Sequence, residues 1–268
     1  MIIQYDYGSM DDIWNKYFAV ESEIHFDKEQ SDIEAFFGAW QHQGFYEDGL
    51  FTLQYRDFES DDAFNSAYNS AINSATSFNS DPHIRWRARI FEYFLKSRLP
   101  GKCVELGTAH GFMFFFALKK LRFEGFEFAN SLIYLIDKYD QHKLDPNNGI
   151  LLSDIETRYA DNLNAVKSIF NDFEFVELIQ GMIPDVLSTM DLTEISFLHI
   201  DLNAAKPEID ALKLMWPFLS PNAIVLLDDY GFPNFASSQE AHTGLAKELG
   251  YEILGLPTGQ GLIIKGNQ

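Results

Sequence analysis

A single cysteine, Cys103, stands among the 268 residues, which excludes an internal disulfide framework and any multi-cysteine zinc or iron–sulfur site. Next to Val104 in an apolar run, it reads as an inert core thiol. Bases are scarce: 20 Lys plus Arg face 40 Asp plus Glu, a formal net charge of −20. Phosphate backbones and anionic lipid surfaces repel such a chain, so neither nucleic acid nor membrane is expected as a partner. Long hydrophobic runs are missing too. The densest, Phe112 to Leu118, falls short of a membrane span and ends at Lys119-Lys120. No basic leader precedes Gln4, Tyr5 and Asp6, so a reducing cytoplasmic setting is expected. With 46% hydrophobic and 22% charged residues, the composition is that of a folded domain rather than a disordered chain.

The length suits one large α/β domain with an extension. Residues 1–80 hold 15 acids and 3 bases, together with aromatics such as Trp14, Phe36, Trp40 and Phe58. An acidic but aromatic stretch reads as folded, and residues 1–80 are expected to form a helical N-terminal extension to a domain at 81–268. Within it, the Asn- and Ser-rich segment from Asn65 to Ser80 is either a flexible linker or a helix. Phe64, Tyr68 and Ile72 recur at helical spacing with Ala67, Ala71 and Ala75 beside them, which favours a helix capped by Asp61 or Asp62. Asp81-Pro82 predicts a further helix start, running to about Arg98 with Ile84, Ala88, Phe91 and Leu95 along one stripe.

After Pro100-Gly101 the pattern alternates. Short apolar runs at Lys102–Leu106, Leu132–Ile136, Phe173–Ile179, Ser196–Ile200 and Ala223–Leu227 are separated by helical segments, predicting a doubly wound, mainly parallel sheet. Tyr251–Leu256 and Gly261–Ile264 are joined by four residues, too few for a crossover, so they form an antiparallel hairpin. Five strand–helix units and a terminal hairpin resemble the Rossmann-like class I methyltransferase fold.

Two elements point to an adenosine-containing ligand. Glu105-Leu106-Gly107-Thr108-Ala109-His110-Gly111 runs from a strand through a glycine turn into a helix, where Gly107 and Gly111 permit a tight bend and the amides favour an anionic group. Ala109 removes the dinucleotide fingerprint. Asp137 ends the next strand, where a carboxylate can accept ribose hydroxyls, although a helix-capping role is open. An adenosine site without a pyrophosphate loop points to S-adenosylmethionine, with Glu105, Gly107, Thr108, Gly111, Asp137 and Asp201 around it. Gln180-Gly181, after the third strand, is either near the adenine or a plain turn.

Three acids follow two later strands: Asp201 after His199-Ile200, and Asp228-Asp229 after Leu227. At neighbouring carboxyl ends they converge, which is unfavourable without a cation or protons. All-oxygen ligation suits Mg²⁺ first, with Ca²⁺ or Mn²⁺ as alternatives, unless each acid is a separate cap or turn. The block HIDLNAAKPEIDALKLMWPFLSPNAIVLLDDYG, from His199 to Gly231, resembles the metal-dependent sugar O-methyltransferases of the macrocin O-methyltransferase family. That family carries D-x-D, a leucine-rich helix, L-x-P-G-G and D-D-Y-G. The resemblance covers about residues 83–264 and implies metal ligation by Asp201, Asp228 and Asp229, and ribose binding by Asp137. Asn203 departs from D-x-D, Pro221-Asn222-Ala223 from P-G-G, and Lys138–His142 from the family's acidic loop.

Of the histidines, His142 in a polar loop is the expected base, with Tyr139 and Tyr230 as alternatives; His199 reads as a satisfied core residue. Arg85, Arg87 and Arg89 read as a patch offsetting nearby acids. The expected activity is O-methylation of a sugar or polyol hydroxyl on a small molecule, with the oligomeric state open. A non-catalytic cofactor-binding scaffold and an NAD-dependent oxidoreductase are the competing readings.

Overall fold

The computed structural model describes residues 45–47, 49–52, 56–75, 82–128, 131–139 and 163–266. Contacts divide the chain into residues 1–44 and 45–268, and every described residue belongs to the second unit. Its elements are β1 (Phe45–Glu47), β2 (Leu50–Thr52), α1 (Asp62–Ser74), α2 (Arg85–Ser97), β3 (Lys102–Leu106), α3 (Phe112–Phe123) and β4 (Ile133–Asp137). They continue with α4 (Leu163–Ile169), β5 (Val176–Gln180), β6 (Ile195–Ile200), α5 (Ala205–Met215), β7 (Leu219–Leu227), α6 (Ala236–Leu249), β8 (Leu254–Gly255) and β9 (Gly261–Ile264).

Seven strands form one sheet in the order β5-β4-β3-β6-β7-β9-β8. β5 to β7 run parallel, whereas β9 is antiparallel to both of its neighbours, β7 and β8. The expected hairpin is present, and its second strand is the inner one. Period-two alternation sends Cys103, Phe197, Ile133 and Leu135 to one face, under α1, α2 and α3. Val104, Leu198, Val225 and Ile263 face the other way, toward Leu212 and Met215 of α5 and Leu245 of α6. The dense apolar run becomes α3, in which Met113 through Leu118 are all buried. A helix apolar all round belongs inside a protein. No helix among the described residues is long and apolar enough to cross a membrane.

The helix expected from Phe64, Tyr68 and Ile72 is α1, capped by the Asp61 carboxylate, which accepts from the Phe64 amide at 2.9 Å. Its apolar stripe packs on α3, with Phe64 against Phe116 at 4.9 Å and Tyr68 against Phe112 at 5.3 Å between ring centres. Two details differ from expectation. Residues 45–52, inside the stretch read as helical, hold the antiparallel pair β1–β2. α2 starts at Arg85 rather than at Pro82, because its orphan amides find tertiary partners: the Ile84 amide donates to the Tyr68 hydroxyl at 3.0 Å and the Arg85 amide to Glu47 Oε2 at 2.7 Å. Buried Glu47 thus acts as the remote N-terminal acid of α2. Asp81 lies outside the described residues.

Candidate functional site

Strand register assembles the carboxyl ends of β3, β6 and β7. Glu105 pairs with His199 and His199 with Leu226 across the three strands. Asp228, two residues beyond Leu226, therefore projects to the same face as Glu105 and His199. The result is a buried polar chain. His199 Nδ1 lies 2.9 Å from Glu105 Oε1, and Nε2 lies 3.3 Å from Asp228 Oδ1. Gln260, in the turn between β8 and β9, donates to the same Asp228 oxygen at 3.0 Å and accepts from the Thr258 hydroxyl at 3.0 Å.

The other Asp228 oxygen is taken by Arg87 of α2, which also contacts the Asp228 carbonyl and Asp229 Oδ1, each at 3.3 Å. Arg87 sits one turn before Phe91, whose ring packs 4.9 Å from that of His199, so the helical stripe that builds the core also delivers the guanidinium. Asp201 ends β6, where its Oδ1 accepts from the Asn203 side-chain amide at 3.0 Å.

The charges follow from these contacts. Burial opposes an imidazolium at His199, but hydrogen bonds to Asp228 and Glu105 outweigh it and push the pKa up to about 10. Burial also opposes ionisation of Asp228, yet Arg87, His199 and Gln260 together hold that carboxyl well below the usual range. Asp201 goes the other way: desolvation and the neighbouring Asp228 and Asp229 charges push it well up. Burial likewise raises Glu105, against the pull of His199.

The second half of the site is the glycine turn. Gly107 and Gly111 take φ of 91° and 84°, as a tight turn requires. Their lack of Cβ also serves the protein's own packing. A Cβ on Gly107 would lie 1.8 Å from the Asp201 carbonyl oxygen, and one on Gly111 2.5 Å from the Phe170 ring. Thr108 is buried between them. Asp137 ends β4 as expected, and its carboxylate accepts from the Ala109 amide at 2.7 Å and the Tyr139 amide at 3.4 Å. It braces the turn while staying half-exposed. Register sets Gln180 beside Asp137, and its side chain donates to the Lys138 carbonyl at 2.9 Å. Gly181 packs against Val186, 2.5 Å from where its Cβ would be.

The structure thus brings together Asp201, Asp228 and Asp229, and separately Gly107, Thr108, Gly111, Asp137, Gln180 and Gly181. Glu105 is buried, with Oε1 on His199. His142 lies outside the described residues. Tyr139 is buried, and its phenol is raised by burial and by Asp137. Tyr230 is half-buried, with its hydroxyl 3.2 Å from that of Thr243. The three acids already carry donors from the chain itself. Among the described residues no group of three His, Cys, Asp or Glu side chains is arranged to hold an ion; Arg87, His199 and Gln260 engage both oxygens of Asp228, and Asn203 and Arg87 one oxygen each of Asp201 and Asp229.

Residues 104–230 match the family model described as a methyltransferase domain. Among solved structures, the O-methyltransferase NovP is similar at a TM-score of 0.58 and 14% identity, over 74% of this chain and 88% of that one. CalS11, a calicheamicin methyltransferase, is similar at 0.55 and 15%, over 80% and 95% of the two chains. Its apo form is described as a TDP-rhamnose 3'-O-methyltransferase. The methyltransferase PaMTH1 of Podospora anserina, bound to S-adenosylhomocysteine, is similar at 0.52 and 15%, over 93% and 100%. The fold is that of a class I methyltransferase. No curated protein matches the chain in sequence.

Within this methyltransferase fold Arg85, Arg87 and Arg89 do offset acids, Glu47, Asp228 with Asp229, and Asp57 with Glu92 in turn; sequence reasoning missed that Arg87 serves the site, and missed Gln260. A signal for Arg87 was present: it falls three and four residues from Ile84 and Phe91 on the buried stripe of α2, so it could not be a plain surface cation. Gln260 carried none, since a turn glutamine is unremarkable until the hairpin is docked.

Proposed function

We propose that the chain is an S-adenosylmethionine-dependent O-methyltransferase acting on a sugar or polyol hydroxyl of a glycosylated small molecule. The observation that carries the cofactor is Asp137. It ends the strand next to the glycine turn, and its two backbone donors leave acceptor capacity on both oxygens, since an ionised carboxylate offers about four lone-pair sites. Two ribose hydroxyls fit that capacity. The methyltransferase-domain match and the likeness to NovP and CalS11 support the reaction class, and the rhamnose acceptor named for CalS11 supports the sugar.

When bound, the cofactor supplies an electrophilic methyl group for in-line displacement by the acceptor oxygen. The chain's own work is to position and deprotonate. Gly107 to Gly111 and Asp137 hold the cofactor's methionine and ribose ends, with Gln180-Gly181 toward the adenine. His142 is assigned the acceptor proton, and Asp201, at the end of β6 with its carboxyl pushed up by burial and the neighbouring acids, is the second group able to hold it. A bound divalent ion does not fit the side chains as they stand, and no step is assigned to one.

Calorimetry with S-adenosylhomocysteine tests the reading. Asp137→Ala is expected to weaken binding about tenfold or more, the loss of one charge-assisted hydrogen bond. Tight NAD binding with no response to S-adenosylhomocysteine overturns it in favour of an oxidoreductase. His142→Ala is expected to lower turnover about a hundredfold or more with cofactor affinity unchanged. Near-normal turnover in that variant from acid to alkaline pH transfers the role to Asp201. Cofactor binding without turnover on any sugar or polyol identifies a non-catalytic scaffold.

A further inference from the structure

We propose that Arg87 is the resident cation of the Asp201, Asp228 and Asp229 cluster and stands in the place a divalent metal ion would take. The inference concerns cation binding alone and holds whether or not the site transfers a methyl group.

Acceptor capacity carries the argument first. Asp228 Oδ1 is shared by His199 and Gln260, and Oδ2 is paired with Arg87. Three of about four lone-pair sites are therefore engaged by donors. Asp229 Oδ1 is contacted by the same guanidinium nitrogen, and Asp201 Oδ1 accepts from Asn203. A magnesium ion needs near-octahedral oxygens at about 2.0–2.1 Å. It would have to displace Arg87 from Asp228 to obtain an oxygen there, since His199 and Gln260 share the other one.

Arg87 is also held where it is. Its side chain is 12% exposed, its nitrogen reaches the Asp228 carbonyl as well as both carboxylates, and the guanidinium lies 5.0 Å from the centre of the Phe232 ring. Phe232 is itself wedged against the next turn, since a Cβ on Gly259 would fall 2.2 Å from its ring. A guanidinium cannot shed its proton in a protein, so the cluster always contains one full positive charge. That charge lies against both Asp228 and Asp229. A dication brought to the same carboxylates meets its repulsion.

The test is Mn²⁺ titrated into the full chain, with the free ion read by its EPR signal. The wild type is expected to leave the signal unchanged. Arg87→Met, which keeps the stem and removes the charge, is expected to bind Mn²⁺ at least about tenfold more tightly, as affinity follows the charge at the ligands. Arg87→Lys is expected to gain nothing. Mn²⁺ binding by the wild type that is lost in Asp229→Asn overturns the proposal. So does an Arg87→Met protein that is folded by circular dichroism and still ignores the ion. If Arg87→Met does not fold, the wild-type titration with its Asp229→Asn control decides alone.

Discussion

Gly107→Ala is expected to cost about 4 kcal/mol or more, beyond the range of ordinary substitutions. That is a large share of the roughly 5–15 kcal/mol that holds a typical domain together. The added methyl would fall 1.8 Å from the carbonyl oxygen of Asp201 and 2.6 Å from its carbonyl carbon. Both are backbone atoms, so no rotamer change relieves the overlap. Nor can the strands part easily. The Asp201 amide donates to the Leu106 carbonyl at 2.8 Å, and the Gly107 amide to the Ile136 carbonyl at 2.9 Å. The φ of 91° adds strain for any side chain. Gly244, inside α6 with nothing within 4 Å of its absent Cβ, is the matched control. Gly244→Ala is expected to gain about 0.5–1 kcal/mol. Urea midpoints for the two variants check both signs, and a wild-type midpoint for Gly107→Ala would refute the close approach.

His199→Leu is the second large effect, expected to cost about 3–5 kcal/mol at neutral pH, because it strands buried acids without their shared donor. Leucine fits the space beside Phe91, so the loss is electrostatic rather than steric. It is also pH-dependent in a defined direction. The histidine is raised in the folded state from 6.5 to about 10. Its contribution is therefore complete below about pH 6.5 and declines as the pH rises to about 10. Asp228, held low, behaves oppositely: its contribution is present above its ordinary value of 3.8 and is lost as the pH falls below it. Urea midpoints measured across the alkaline range should fall in the wild type and stay flatter in His199→Leu. Parallel curves would mean that His199 is buried as the neutral ring.

The strand ends were legible because each closes an apolar run with an acid: Leu135-Ile136-Asp137, Ile200-Asp201 and Leu227-Asp228-Asp229. The hairpin was legible from its four-residue turn. What escaped depends on register and docking, which no single stretch of sequence contains. Glu105 was readable as a residue of the turn, but its partner is set by pairing with His199 two strands' worth of chain away. At Gly107 and Gly111 a sequence shows that a Cβ is missing and not which neighbour needs the space, here the Asp201 carbonyl and the Phe170 ring. α2 misled at its start because Tyr68 and Glu47, distant in sequence, outcompete the local Asp81-Pro82 signal. The acidic cluster was found, but its counter-charge lay more than a hundred residues upstream on a helix whose arginines read as offsetting nearby acids without showing which ones.

The placement of β9 between β7 and β8 bears on how the molecule is made. β8 leaves the ribosome before β9 yet touches only β9 among the described strands, so it has nothing to pair with until the later strand has arrived. The edge of β7 stays bare for the same interval, an exposed template of the kind that recruits other chains. The same event delivers Gln260 to Asp228. A nascent or truncated chain stopping short of Gln260 therefore forfeits two strands and one donor to Asp228 together, so that closure of the sheet edge and satisfaction of its buried acid become a single late step.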